Sequence, residues 1–363
     1  DFNIPRARIY FSGRLTRPIE YQLSFQRSNN SLDLLNAYFD FRYDERLQLR
    51  IGRFRCPYTY EWSKLSNWEF LQPERSPFAA NFGPNRQVGV MGWGNVFENR
   101  LEYAVGVFDG PRNSYQDYNN AKDIMAFIDY RPFFQTESAL KFLSVGGSVD
   151  EGHENNPLVP AELRGSANAS TNTLATGSGD SLIAVPFLQF NNNVKEKGAR
   201  ELWELHATYF YKGLSVLGAW DSGFNDFSLT TPNAKPVHLP VGGYHIQVGY
   251  ILTGETLEKR ALVEPLRPFD LRRGKFGPGA IELTARYSNL QIGNQVFTGG
   301  LADPNLWTNR LNMTDVGFNW YLTRNVKFYF DWEHAMFGQP VYYRPGGLQA
   351  TSDLFWLRLQ LWY

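Results

Sequence analysis

Arg6 to Leu15 reads RARIYFSGRL, and the alternation within it decides the fold. On an extended strand Arg6, Arg8, Tyr10, Ser12 and Arg14 share one face, while Ala7, Ile9, Phe11, Gly13 and Leu15 share the other. Thr16-Arg17-Pro18 supplies a turn, and the period of two resumes at once. Ile19, Tyr21, Leu23 and Phe25 oppose Glu20, Gln22, Ser24 and Gln26. After Ser28-Asn29-Asn30-Ser31, Leu35, Ala37, Phe39, Phe41 and Tyr43 oppose Asn36, Tyr38, Asp40, Arg42 and Asp44. Leu47, Leu49 and Ile51 then oppose Arg46, Gln48 and Arg50, with Asp44-Glu45 as nearly the whole connection.

The same signal recurs to the end of the chain. It returns near Gln87–Gly92, Arg100–Phe108, Lys122–Tyr130, Leu140–Val149, Arg200–Tyr211, Leu214–Asp221, Tyr244–Leu252, Ile281–Ser288, Asp315–Leu322, Val326–Glu333 and Asp353–Tyr363. Segments of about nine to twelve residues suit a tilted strand crossing a bilayer. Very short connections such as Lys212-Gly213 contrast with long ones, Gly152–Gly198 and Thr253–Gly279, as in a barrel with long loops gathered at one end. The expected fold is all-β: one transmembrane antiparallel β-barrel of about 16 strands formed by the whole chain, 1–363. Fifteen strands are plain; a sixteenth is expected from Leu182–Asn191, or from a part preceding Asp1, which reads as a mature or trimmed start.

A β-sandwich shares this periodicity, and ring placement separates the two. Tyr209 and Tyr211 close one segment, Trp220 comes late in the next, and Trp320 and Trp332 end apolar faces. Amphipathic rings at segment ends match an interfacial belt. The last segment, DLFWLRLQLWY, puts Phe355, Leu357, Leu359, Leu361 and Tyr363 on one face, a terminal strand of the kind barrel insertion recognises. Aromatics make up 16 % of the chain, high for a soluble domain and in keeping with aromatic girdles.

Composition excludes several functions. Lys+Arg and Asp+Glu are equal at 36 each, so no global basic field exists to hold a nucleic acid. The basic residues are mostly arginine, which favours fixed guanidinium arrays. The single cysteine, Cys56, allows no internal disulfide and no cysteine-rich metal site. The five histidines show no metal-ligand spacing, and His206 and His245 read as wall residues. No nucleophile elbow, P-loop or dinucleotide fingerprint points to an enzyme, and no cofactor or metal is expected.

Four stretches in order resemble the phosphate-selective porin O and P family: LRIGRFRCP at Leu49–Pro57; PERS at Pro73–Ser76, followed at Arg86 by RQVGVMGWG; GAIELTARYS at Gly279–Ser288; and VGFNWYLTRN at Val316–Asn325, joined to the terminal RLQLWY. The long segment Gly152–Gly198 has no clear counterpart, and the family's first strand is absent. The resemblance implies a bacterial outer-membrane porin, a homotrimer embedded in outer-membrane lipid, through which small solutes or anions such as phosphate pass. It also implies that the insert 54–84 folds into the lumen as a constriction loop. An aromatic-rich loop of that length should not float in water. Glu61, Lys64, Glu74 and Arg75 are its candidate functional residues, Lys64 by its position alone.

The polar strand faces supply the candidate lining: Arg6, Arg8, Arg14, Arg42, Arg46, Arg50, Arg100, Lys141, Arg200, Arg286, Lys327 and Arg358. Acidic members, Glu20, Asp40, Glu102, Glu204, Glu282, Asp315, Asp331 and Glu333, are mixed among them. Guanidinium rows would favour anions; basic and acidic groups on opposite walls would instead set up a transverse field with little ion choice. Both readings stand at this level. A different function, an outer-membrane anchoring barrel whose part before Asp1 binds the cell wall or a partner, is the alternative.

Overall fold

The computed structural model describes residues 4, 6–27, 32–113, 115–166, 185–343 and 347–362. In chain order the strands are β1 (Ala7–Thr16), β2 (Ile19–Arg27), β3 (Leu32–Asp44), β4 (Leu47–Arg55), β5 (Arg86–Val96), β6 (Leu101–Phe108), β7 (Asp123–Tyr130), β8 (Phe142–Pro157), β9 (Glu162–Arg164), β10 (Pro186–Gln189), β11 (Val194–Tyr211), β12 (Leu214–Leu229), β13 (Val237–Ile251), β14 (Ala280–Ile292), β15 (Arg310–Thr323), β16 (Val326–Tyr343) and β17 (Gly347–Leu361). All but β9 and β10 form one fifteen-stranded antiparallel meander in which each strand pairs with its neighbour in sequence. No ladder joins β1 to β17 among the described residues. The two edges nevertheless meet, because Tyr10 lies against Trp362 with ring centroids 5.6 Å apart.

The two faces have inverted chemistry relative to a water-soluble sheet. Ile9, Phe11 and Leu15 are 61 %, 53 % and 62 % exposed, whereas Glu282, Arg286 and Asp315 are within 2 % of complete burial. The alternation read from the sequence thus turns its apolar half outward and its charged half inward. Outward rings form two levels. On β11, Trp203 and Tyr211 are eight residues apart, about 27 Å along the strand, close to the ~25 Å height of a barrel's apolar band. Trp203 packs edge-on against Trp220 of β12, and Tyr209 stacks on Tyr211.

Three features depart from the simple alternation. A bulge between Ser24 and Phe25 of β2 leaves Leu35 unpaired in β3 and rotates it inward, where it is buried rather than sharing the face of Phe39. Strands β8 and β11 continue six and five residues into the segment 152–198, so the true connection is 158–193. Within it, Leu182–Ala184 lie outside the described residues, and Pro186–Gln189 pair with Glu162–Arg164 as a separate ribbon, adding no sixteenth strand to the wall. The ribbon turns inward because Leu163, Phe187 and Leu188 find an apolar cluster with Phe54, Phe78, Phe108, Leu290 and Leu311.

The tight connections Arg17-Pro18, Lys212-Gly213 and Arg324-Asn325 gather at one end of the sheet. Thr253–Gly279 joins β13 to β14 at that same end, so not every long connection lies opposite the tight turns.

Candidate functional site

The insert between β4 and β5 occupies the inward side of the sheet. Gly52, with φ +129°, brings β4 so close to β3 that a Cβ would sit 2.2 Å from the Ala37 carbonyl. Beyond it alternation ends, and Arg53 and Phe54 are both buried. Two short helices follow, α1 (Tyr60–Ser63) and α2 (Pro77–Phe82). The Thr59 hydroxyl accepts from the Trp62 amide at 3.2 Å, and Pro77 begins α2 where its missing N–H costs nothing. Glu61 ties the helices together by accepting from the amide and hydroxyl of Ser76 at 2.9 and 2.6 Å.

Backbone groups of the insert are satisfied by inward side chains far around the sheet. The Thr59 amide donates to Ser148 of β8 at 3.0 Å and the Tyr60 amide to Glu204 of β11 at 2.6 Å. Asn319 of β15 donates to the Leu71 carbonyl at 2.9 Å, and Lys327 of β16 to that of Phe70 at 2.7 Å. Arg358 of β17 donates to Pro73, and Arg286 of β14 to Glu74, at 2.5 and 2.8 Å. Leaving from β4, the loop therefore reaches across to the opposite strands. Buried backbone needs such partners, and the wall supplies them.

Glu74 is an attachment made by ion pairs. Its carboxylate is gripped by Arg6 at 2.8 Å and Arg358 at 2.7 Å, which draws both edges of the sheet onto the insert. Burial alone would raise this carboxyl; the two guanidiniums hold it below the usual carboxylate range. Arg75 lies 3.5 Å from the Trp62 ring centre and 4.6 Å from that of Phe70, with weak bonds to the carbonyls of Glu61 and Leu65. Burial pushes its guanidinium well below its ordinary value. Lys64 reaches Glu102 of β6. From the other end, Arg260 of the segment 252–279 donates to the Glu69 carbonyl at 3.0 Å and pairs with Glu282 at 2.6 Å.

Charge is segregated around this loop. Arg8, Arg55, Arg75 and Arg86 direct their hydrogen bonds to neutral oxygens: Gln26, the Leu65 carbonyl and Ser66, insert carbonyls, and Asn36 with Asn85, respectively. They cluster on β1, β4, β5 and the insert. Further round the sheet, on β7, β8, β11 and β12, stand Asp129, Asp150, Glu154, Glu204 and Asp221, all buried. Arg200 is enclosed by three carboxylates there, Asp123, Asp150 and Glu154.

The expected lining residues separate into groups. Arg6, Arg8, Arg50, Arg200, Arg286, Lys327 and Arg358 face inward and are held by partners: Arg50 by Asp40 at 2.7 Å, Arg286 by Asp315 at 2.9 Å. Arg14 and Arg42 share Glu20 near the short-turn end. Arg46, Arg100 and Lys141 lie in turns before their strands begin; Arg46 pairs with Asp44 and Lys141 with Glu137. Of the loop residues, Glu61, Glu74 and Arg75 are buried in the attachment just described. The sequence reading did not single out Arg55 and Arg86. They are cross-strand partners that bracket the insert, and their position at its two ends was the available signal.

An inward-charged, outward-apolar antiparallel sheet carrying a docked internal loop defines the outer-membrane porin class of β-barrel. Residues 1–335 match the family "Phosphate-selective porin O and P", and the chain belongs to that family. An uncharacterized protein of Caulobacter vibrioides is 23 % identical over 317 residues, 82 % of this chain; the chain spans only 57 % of that protein's length. Among solved structures, OmpF of Salmonella typhi superposes with a TM-score of 0.55 at 12 % identity, covering 98 % of this chain and 89 % of its own. OmpT, an outer membrane protein of Vibrio cholerae solved in a trimer form, superposes at 0.51 with 8 % identity, covering 97 % and 91 %.

Proposed function

We propose that this chain is a passive diffusion channel of the bacterial outer membrane, and not an enzyme, with its apolar face in the acyl layer and the insert 56–85 as its constriction. The inversion of burial carries this reading: charged side chains have no reason to line the inside of a sheet whose outside is greasy unless the inside is wet. The segregated charges support a transverse field at the constriction, in which the arginines of β1, β4 and β5 face the carboxylates of β7 to β12. Such a field orients dipolar solutes and lets small anions use the guanidinium side without excluding cations. A homotrimer fits, as the Vibrio OmpT structure is described in a trimer form.

The test is the reversal potential of the purified protein in a planar bilayer under a salt gradient. A value well short of either single-ion limit is expected. Reversal at the anion's own equilibrium potential would show that the basic side alone governs passage, and the transverse field would be wrong.

A further inference from the structure

Asp315 of β15 and Glu333 of β16 are direct cross-strand partners, and Asp331 lies two residues along on the same inward face. One carboxylate oxygen from each lies within 4.8 Å of the other two, and all three residues are at most 3 % exposed. Among the described residues Arg286 is the cation hydrogen-bonded to them, binding Asp315 through Nε and Nη2 at 2.9 and 3.0 Å. Three carboxylates thus share one hydrogen-bonded cation in a site closed on one side by the insert, where Arg286 also holds the Glu74 carbonyl.

A second observation singles out this group from the other acidic residues. Asp331 is 1 % exposed, yet among the described residues neither of its oxygens has a hydrogen-bond partner. A buried carboxylate with both oxygens bare is costly unless something absent from the protein satisfies it. Gly317, its cross-strand partner, passes so close that a Cβ there would lie 2.0 Å from the Phe330 carbonyl and 2.8 Å from Asp331 Oδ1.

We infer that Asp315, Asp331 and Glu333 bind a divalent cation, with calcium preferred over magnesium. Calcium accepts oxygen ligands at about 2.3–2.6 Å, so two oxygens on opposite sides of one ion stand up to about 5 Å apart. Oxygens no more than 4.8 Å apart lie inside that reach, and a buried group of three carboxylates suits calcium, which takes about six to eight oxygen ligands, better than magnesium, which keeps several of its waters. Asp315 retains lone pairs beyond those given to Arg286, Glu333 accepts from Ser166 through one oxygen at 3.1 Å, and Asp331 is wholly available. Solvent completes the shell. The bound ion neutralises carboxylates of the β15–β16 wall and moves the channel toward anions. That effect on selectivity rests on the channel reading; the metal binding does not.

The experiment is calorimetric titration of the detergent-solubilised chain, stripped of divalent ions, with calcium alone and with magnesium alone. One saturable calcium per chain is expected, with a Kd between about 10⁻⁶ and 10⁻³ M, and weaker magnesium uptake. Asp331→Asn and Glu333→Gln should each weaken calcium by at least about tenfold. Both variants are checked for folding by heat-modifiable gel mobility; if one misfolds, the other decides. No saturable uptake by the natural chain, or unchanged uptake in a folded variant, overturns the site and leaves protons to neutralise the carboxylates. Calcium added to a bilayer recording should shift the reversal potential toward anions in the natural chain and not in Asp331→Asn. Calcium binding without any conductance would refute the channel while leaving the site standing.

Discussion

Replacing Glu74 by glutamine should loosen the constriction loop without unfolding the barrel. The carboxylate is 3 % exposed and joins Arg6 and Arg358 at 2.8 and 2.7 Å, so both partners lose their counter-charge at once. Removing one member of a buried ion pair costs about 3–5 kcal/mol. Glutamine keeps one acceptor oxygen, which places the expected loss near the lower end, about 3 kcal/mol. At 1.4 kcal/mol per factor of ten, that shifts the balance between docked and released loop by roughly a hundredfold. The remaining attachments at Phe70, Leu71 and Pro73 keep release partial, so the variant should flicker between conductance levels where the natural chain is steady. Acid should act in the same way. The folded carboxyl titrates below its usual range, so its contribution is complete above the unfolded value and disappears as pH falls through the depressed one. Single-channel recording between neutral and strongly acid pH is the assay. The natural chain should acquire flicker only in acid, and Glu74→Gln should show it throughout. A variant as quiet as the natural chain at every pH would refute the claim that this carboxylate fastens the loop.

Reversing Arg8 and Arg55 to glutamate should move the reversal potential toward cations, whereas reversing Arg46, an exposed turn residue paired with Asp44, should leave it nearly unchanged; the same salt-gradient recording reads both. Phe11→Lys puts a charge on the outward face and should cost about 2–4 kcal/mol if the site lies near the bilayer midplane, measured by denaturant titration of the folded, heat-modifiable form. Gly52→Ala should destabilise the β3–β4 pairing and lower folding yield, because its φ of +129° and the Ala37 carbonyl leave no room for a methyl; a yield equal to that of the natural chain would contradict the packing described.

Much of this architecture was readable because lipid-facing and lumen-facing positions obey one rule of period two. Ile9, Phe11 and Leu15 announced their side, and so did Arg8 and Arg50. Leu35 did not, because a bulge depends on how β2 and β3 settle against each other, which no single-strand pattern records. Leu182–Asn191 was one candidate for a further wall strand; the pairing of its Pro186–Gln189 part with Glu162–Arg164 is decided by an apolar cluster assembled from distant segments. The insert was conspicuous by length and aromatic content, but its fastening by Glu74, Lys327 and Asn319 joins residues more than 200 positions apart. The carboxylates of Asp315, Asp331 and Glu333 belong to one hairpin, yet they stayed hidden as a group because their proximity is a matter of register between β15 and β16. Arg46, Arg100 and Lys141 sat at strand boundaries, where a shift of one or two residues moves a side chain from wall to turn.

The most direct measurement is conductance across a planar bilayer to which the purified, refolded chain is added. Uniform, stepwise increments whose current is proportional to voltage are the predicted result. A protein that inserts, as judged by protease protection in vesicles, yet never raises the current would contradict the wet interior on which the functional account stands.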